Sequence, residues 1–415
     1  MYANLVNELF NVPGPFYKIQ RLKYLAKQHK MKFTVDLPTL FVTGTKKALE
    51  TVPSDFYYQN NGILIDGFNG ALKCVAPATL TRPFGPDFLP DEKEHQDKMI
   101  NDHLKKGDYD IIQIYDGTVV TLYPVFSETG NLQCFKLATN STPDFGKRKS
   151  ITGRTHNELV AELFRKSGIE CAVITTDTGD VGLLLPGLDL DHCYTIGYRH
   201  HEAHPFAFDG ERIWNVRSVN LKTGELSTQK IKHIEDEKIV TFDKPMSLQD
   251  LRDECAPALS DFLEAPSTTV NYGYILKSKV PGRLPFQEDL FVIPSSFLTF
   301  LQDTIYKYQY VEGTLDLEKT VLRSYLDKAV LKDTFLTIFP QFDGEYQKFN
   351  QVLAKITNQF ITRYIHQWLD DVKYKQILEA IYAEAKPRFY DVPPDELLDS
   401  VIDDRFLDLF YKLLH

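Results

Sequence analysis

The chain has 415 residues, 43% hydrophobic and 25% charged, with a formal net charge of −10. That length allows two domains with cores of ordinary size, and the acidic balance argues against a broad, non-specific nucleic-acid surface. Five scattered cysteines with no C-x-x-C pair make a cysteine-rich zinc site improbable and point to reduced thiols in a cytoplasmic compartment.

The chain opens with MYANLVNELFNVPG, which lacks the basic-then-apolar layout of a secretory signal. Residues 1–55 form the opening segment of the main domain: Leu22–Lys30 reads as a helix, Met31–Leu37 as a strand, and Leu40–Glu50 as a strand turning into a helix. Residues 56–295 are strand-rich, with turn signals at Asp66-Gly67, Asn69-Gly70, Asp116-Gly117, Thr129-Gly130, Asp209-Gly210 and Thr223-Gly224. Turns at that density indicate antiparallel meanders. Within them, Asp108–Tyr123 predicts a hairpin, because Asp-Gly between two apolar runs is the strongest short-range hairpin signal. One helix interrupts the strands. Thr155 and Glu158 form a capping-box pattern, and LVAELFRK then runs to a stop at Gly168. From residue 296 the apolar period changes from 2 to 3.6. Phe349, Val352, Leu353, Ile356, Phe360, Ile361, Tyr364 and Trp368 outline one amphipathic helix, and Pro393-Pro394 starts a last one. The fold class is α+β: an antiparallel-sheet domain over 56–295, then an all-helical domain over 296–415. No apolar run approaches the roughly 18 residues needed to span a bilayer, so no membrane partner is expected.

Two clusters carry chemistry in their own right. Lys147, Arg148, Lys149 and Arg154 form a basic patch that suits RNA phosphates, or simply a solvated loop and helix face. His200, Glu202 and His204 would share one face of a strand, offering two imidazoles and a carboxylate to a metal. The plainer reading is a histidine-rich strand end stopped by Pro205.

The order of NGILIDGFNG (Asn61–Gly70), TRPFG (Thr81–Gly85), IYDGT (Ile114–Thr118), CFKLATN (Cys134–Asn140), CYTIGYRHHEAHPF (Cys193–Phe206) and YGYILKSK (Tyr272–Lys279) resembles ATP-dependent RNA ligases. The likeness is to the bacteriophage RNA-repair type and the ligase-like proteins of large DNA viruses, and it covers roughly 56–296. It implies a nucleotidyltransferase (ATP-grasp-like ligase) fold, ATP and Mg as cofactors, and nucleotide and RNA as partners. The helical module is then a platform for RNA or a partner protein, and the compartment is the cytoplasm (the host cytoplasm for a viral chain).

Carried over by position, Asp116, Gly117 and Thr118 match the family's D-G and the hydroxyl residue after it, and Arg82 matches an arginine that contacts the nucleotide. Ile114, beside Tyr115, stands where the family has its nucleophilic lysine. Asn61 replaces an arginine, the acidic strand becomes Tyr194–Tyr198 with no carboxylate until Glu202, Tyr272-Gly273 replaces E-G, and Leu290–Ser296 lacks the lysines of K-x-K. An alkyl side chain cannot form a phosphoramidate, so lysyl-AMP chemistry at this position is impaired. Two hypotheses follow. In the first, the chain is an enzyme with Asp116 and a relocated lysine (Lys136, Lys277 or Lys279) at its centre. In the second, it is a pseudoenzyme that binds nucleotide or RNA, or acts as a scaffold, without reacting.

Overall fold

The computed structural model describes residues 14–28, 30–36, 39–43, 62–76, 90–127, 129–177, 179–205, 210–266, 270–279, 290–306, 317–326 and 332–366, with 377, 379–381, 383, 406 and 410–412. The chain divides into two units, Met1–Ala258 with Thr268–Phe297, and Leu259–Ser267 with Leu298–His415.

In the first unit, helix α1 (Pro15–Gln28) leads into a four-stranded antiparallel meander of β1 (Lys32–Asp36), β2 (Thr39–Thr43), β3 (Ile63–Asp66) and β4 (Leu72–Val75). The expected helix after β2, residues 44–50, lies outside the described residues. Helix α2 (Pro90–Lys106) precedes β5 (Tyr109–Gln113). An eight-stranded sheet follows, containing β6 (Thr118–Phe126), β7 (Leu132–Ala138), β8 (Ala172–Thr175), β9 (Val181–Leu184), β10 (His192–Arg199), β11 (Arg212–Asn220), β12 (Leu226–Ser227) and β13 (Glu235–Asp236). Helix α3 (His156–Lys166) sits between β7 and β8 in the chain, and α4 (Leu248–Cys255) follows β13. Finally β14 (Gly273–Ser278) and β15 (Leu290–Pro294) join β5 in a three-stranded sheet with β14 at its centre.

The period-2 alternation of the central strands explains how the layers stack. Tyr123 of β6 and Cys193 of β10 point to a core shared with the four-stranded meander and α1. Val120, Leu122, Tyr194, Ile196 and Tyr198, one step out of phase, point to a second core under α3. With both faces covered, every residue of β10 is buried, which is why its sequence shows no polar alternation. A third core joins the three-stranded sheet to α2 and α4 through Ile100, Leu251, Tyr274 and Leu276.

Local chemistry fixes α3 as the sequence predicts. Thr155 Oγ1 accepts from the Glu158 amide, and the Glu158 carboxylate accepts from the Thr155 amide at 2.6 Å. At the other end Gly168 takes φ +78°, and the Ile169 amide donates back to the Phe164 carbonyl at 2.9 Å, closing a Schellman motif.

The hairpin expected at Asp116-Gly117 does not form. β5 pairs with β14, whereas β6 pairs with β7 and β10, so the two strands belong to different sheets. Asp-Gly marks a hairpin because that turn demands positive φ, and Gly117 does not adopt it. What Gly117 supplies is space: a Cβ there would stand 2.6 Å from the Tyr198 carbonyl and 3.0 Å from the Trp214 ring.

In the second unit, α7 (Leu317–Leu326), α8 (Lys332–Ile338) and α9 (Asp343–His366) pack an aromatic core, following α5 (Ala258–Glu264) and α6 (Ser296–Leu301) in the chain. Phe335 stacks on Tyr346 at 5.0 Å, Tyr325 meets Tyr346 and Phe349 edge-on, and the Tyr325 hydroxyl donates to Asn350 at 2.6 Å. α9 carries the periodicity read from Phe349 to Tyr364, while Trp368 and the start at Pro393-Pro394 fall outside the described residues. Among the described residues, no helix is long and apolar enough to cross a membrane.

Candidate functional site

Three segments widely separated in sequence meet at the end of the three-stranded sheet, where the chain passes from β5 to β6 of the eight-stranded one. The Ile114 amide donates to the Gly273 carbonyl at 2.9 Å, Gly273 lies opposite Pro294, and the Ser295 amide donates to the Tyr272 carbonyl at 3.2 Å. These are the positions matched above to the nucleophile, E-G and K-x-K segments. Gly273 is required here: it takes φ +106°, and a Cβ would lie 2.1 Å from the Ile293 carbonyl. Ile114, Tyr272 and Ser295 are all buried, and Tyr272 meets Phe297 ring edge to face at 5.8 Å. Asp116, also buried, brings the nearest carboxylate in sequence. These segments therefore present alkyl, phenol and hydroxyl groups. They do not fit a metal-nucleotide complex held as the family holds it, by a lysine and paired carboxylates.

Beyond Asp116 lies a buried polar relay. Thr118 Oγ1 is 2.8 Å from His204 Nε2, and the Tyr198 hydroxyl is 2.5 Å from His156 Nδ1. The His156 ring stacks on Phe145 at 4.3 Å, and the Tyr198 and His204 rings meet edge-on at 5.5 Å. Burial pushes the His156 imidazole down to about 4, with the Arg148 charge adding to the effect. Burial likewise takes His204 to about 3, outweighing its hydrogen bond with the His200 backbone, and it raises the Tyr198 phenol. Both imidazoles are neutral at pH 7, and the relay anchors the chain that leaves Asp116.

A cleft of about 470 Å³ opens between β11, the edge strand β5 and the loops on either side of β12 and β13. Lys277, Arg217 and Lys230 line it together with Asp110, Asp236 and Glu237. Lys277 Nζ is 3.3 Å from both Glu237 Oε2 and the Val216 carbonyl, and Lys230 pairs with Asp236 at 2.7 Å. Lys279, half exposed, reaches Asp110 at 3.2 Å. Asp110, Asp236 and Glu237 carry no motif in the sequence. They come from two segments, β5 and the end of β13, that only the tertiary fold brings together.

The remaining predicted residues scatter around this centre. Tyr115 lies under the Arg212 guanidinium at 4.1 Å and meets Trp214 at 5.5 Å. Lys136 is committed to an ion pair with Asp180 at 2.6 Å, with Asp144 at 3.6 Å, and its side chain is only 14% exposed. Lys147 joins the same knot through Asp144 at 2.8 Å, a contact that raises its pKa. Arg154 is clamped by Glu162 and Glu202, each at 2.7 Å. Of the basic patch, Arg148 and Lys149 are exposed, with Arg148 6.0 Å from the Phe145 ring. Arg82 lies outside the described residues.

The trio His200, Glu202 and His204 is not brought together as a strand face. β10 ends at Arg199, and the next residues curl into a turn in which the Ala203 and His204 amides both donate to the His200 carbonyl at 2.9 Å. The alternation rule therefore lapses one residue before it was needed. His204 turns inward to Thr118, and Glu202 turns to Arg154 and Thr152.

No protein-family model matches the chain. An African swine fever virus protein from a South African tick isolate, provisionally named RNA-ligase, is 25% identical over 333 residues, covering 77% of this chain and 71% of its own. The counterpart from a Kenyan pig isolate is 26% identical over the same span. Two lysine mutants of Naegleria gruberi RNA ligase, solved with AMP and Mn and with ATP and Mn, are 9% identical with TM-scores of 0.27 and 0.26. They align with 50% of this chain, which spans only 56% of theirs, a likeness too slight to inform the fold. By its sequence, then, the chain is similar over 77% of its length to African swine fever virus proteins provisionally named RNA-ligase.

Proposed function

We propose that the protein is an RNA-ligase-like nucleotidyltransferase-fold protein that engages nucleotide and RNA ends without forming a lysyl adenylate at position 114. The observation that carries this reading is the joint itself, where Ile114, Tyr272-Gly273 and Ser295 meet through backbone hydrogen bonds yet bring no amine. The cleft around Lys277 is the nucleotide site in this reading. Lysine and arginine there suit phosphate oxygens, and Asp110, Asp236 and Glu237 suit Mg²⁺ shared with the ligand. Residues 56–295 form the ligase-like domain and 296–415 a helical module for RNA or a protein partner, with exposed Arg148 and Lys149 available to RNA phosphates. The host cytoplasm is the compartment that fits this reading. A covalent variant of the reading places the nucleophile at Lys277, favoured over Lys136 because Lys277 lines the cleft while Lys136 is held by Asp180.

Titration of the full chain with ATP in the presence of Mg²⁺ tests the assignment. Lys277→Ala is expected to weaken binding by about tenfold, the loss of one charge-assisted phosphate contact. Lys136→Ala, away from the cleft, is expected to leave binding unchanged. Equal effects from the two substitutions would move the nucleotide out of this cleft.

A further inference from the structure

His200 is fully buried, and its Nε2 makes no hydrogen bond although it faces carboxylate oxygens of Glu211 at 3.4 Å and Glu162 at 3.5 Å. A buried polar nitrogen left in that state costs free energy unless something lies between it and the oxygens. The exposed His201 ring stacks on His200 at 4.6 Å, and its Nδ1 contacts the same Glu211 oxygen. One atom each from His200, His201 and Glu211 can be chosen so that all lie within 4.8 Å of one another. The edge of a tetrahedral sphere with ligands at about 2.1 Å is roughly 3.4 Å, which matches the His200–Glu211 separation.

We infer that His200, His201 and Glu211 hold a divalent transition-metal ion of the zinc class, with Glu162 or water as the fourth ligand. Two imidazoles and one carboxylate select Zn²⁺ or Co²⁺ over Mg²⁺, which takes oxygen ligands. Coordination through Nε2 places the His200 proton on Nδ1, so the Glu202 amide, now 3.2 Å from Nδ1, gives up that contact. Lys166 is the built-in competitor. Its ammonium lies 2.7 Å from Glu162 and 2.5 Å from Glu211, so it neutralises the same carboxylates that the ion would use.

Titration of the metal-free full chain with Co²⁺ and then Zn²⁺ tests the site, since four-coordinate Co²⁺ has visible absorption bands and Zn²⁺ displaces it. One equivalent of Co²⁺ should develop those bands. His201→Ala, at an exposed position, and Glu211→Gln should each weaken binding by tenfold or more. Lys166→Met should tighten it, because the competing cation is gone. Absence of Co²⁺ bands, or binding that His201→Ala and Glu211→Gln leave unchanged, would overturn the assignment.

Discussion

Gly273→Ala is expected to destabilise the protein by about 3–5 kcal/mol, more than any other single methyl added among the positions discussed. Two penalties coincide at this residue. An alanine at φ +106° is held in a backbone region that side-chain-bearing residues rarely occupy, and its Cβ would lie 2.1 Å from the Ile293 carbonyl and 2.8 Å from the Ser295 amide. Neither neighbour is a flexible side-chain tip, so relief requires β14 and β15 to separate. Gly107 provides the control. It also has positive φ, +73°, but nothing lies within 4 Å of the added Cβ. Gly107→Ala should therefore cost only about 1 kcal/mol, the conformational part alone. Urea unfolding of the two variants separates strain from collision. Equal losses would mean that the joint between Ile114, Gly273 and Ser295 is looser than these distances imply.

The second large effect is a loss of stability on mild acidification. His156 and His204 have an ordinary pKa of 6.5 that burial lowers in the fold to about 4 and about 3. As pH falls below 6.5 the unfolded chain takes up these protons while the folded chain refuses them. Stability is therefore complete above about pH 6.5 and declines toward pH 4, by about 1.4 kcal/mol per pH unit for each histidine. Carboxylates with depressed pKa act in the same direction but at lower pH. Glu162, drawn down to about 2 by Lys166 and Arg154, loses its share only as pH falls below 4.5. Melting temperatures recorded from pH 7 to 5 isolate the histidines. Burial also lowers His200, which adds to the same slope. His156→Gln and His204→Gln should therefore each flatten it in part, and a slope unchanged in both variants would show that these imidazoles are not held neutral in the fold.

Local signals proved the most legible part of the sequence. Thr155, Glu158 and Gly168 fix both ends of α3 from within a few residues, and β1 follows directly from the alternation in KFTVD. What depended on distant partners was harder to read. Asp116-Gly117 looks like a hairpin because the dipeptide's usual meaning is positive φ, whereas Gly117 is small to admit Trp214 and the Tyr198 carbonyl. His200, Glu202 and His204 look like one strand face because nothing in their spacing reveals that β10 stops at Arg199. Glu211, the carboxylate that does meet His200 and His201, lies ten residues beyond His201, and its partnership exists only once β11 turns back beside β10. Positions 114, 272–273 and 290–296 likewise meet only through strand pairing, which no local spacing reveals.

The central claim is that the chain engages nucleotide without becoming covalently adenylylated. The direct measurement is incubation of the full chain with ATP radiolabelled on the α-phosphate, with Mg²⁺ or Mn²⁺, followed by a denaturing gel. No labelled protein is expected, even at nucleotide concentrations that saturate the cleft. An acid-labile labelled band would contradict the claim, and its disappearance in Lys277→Ala would favour the covalent variant, with the nucleophile on β14.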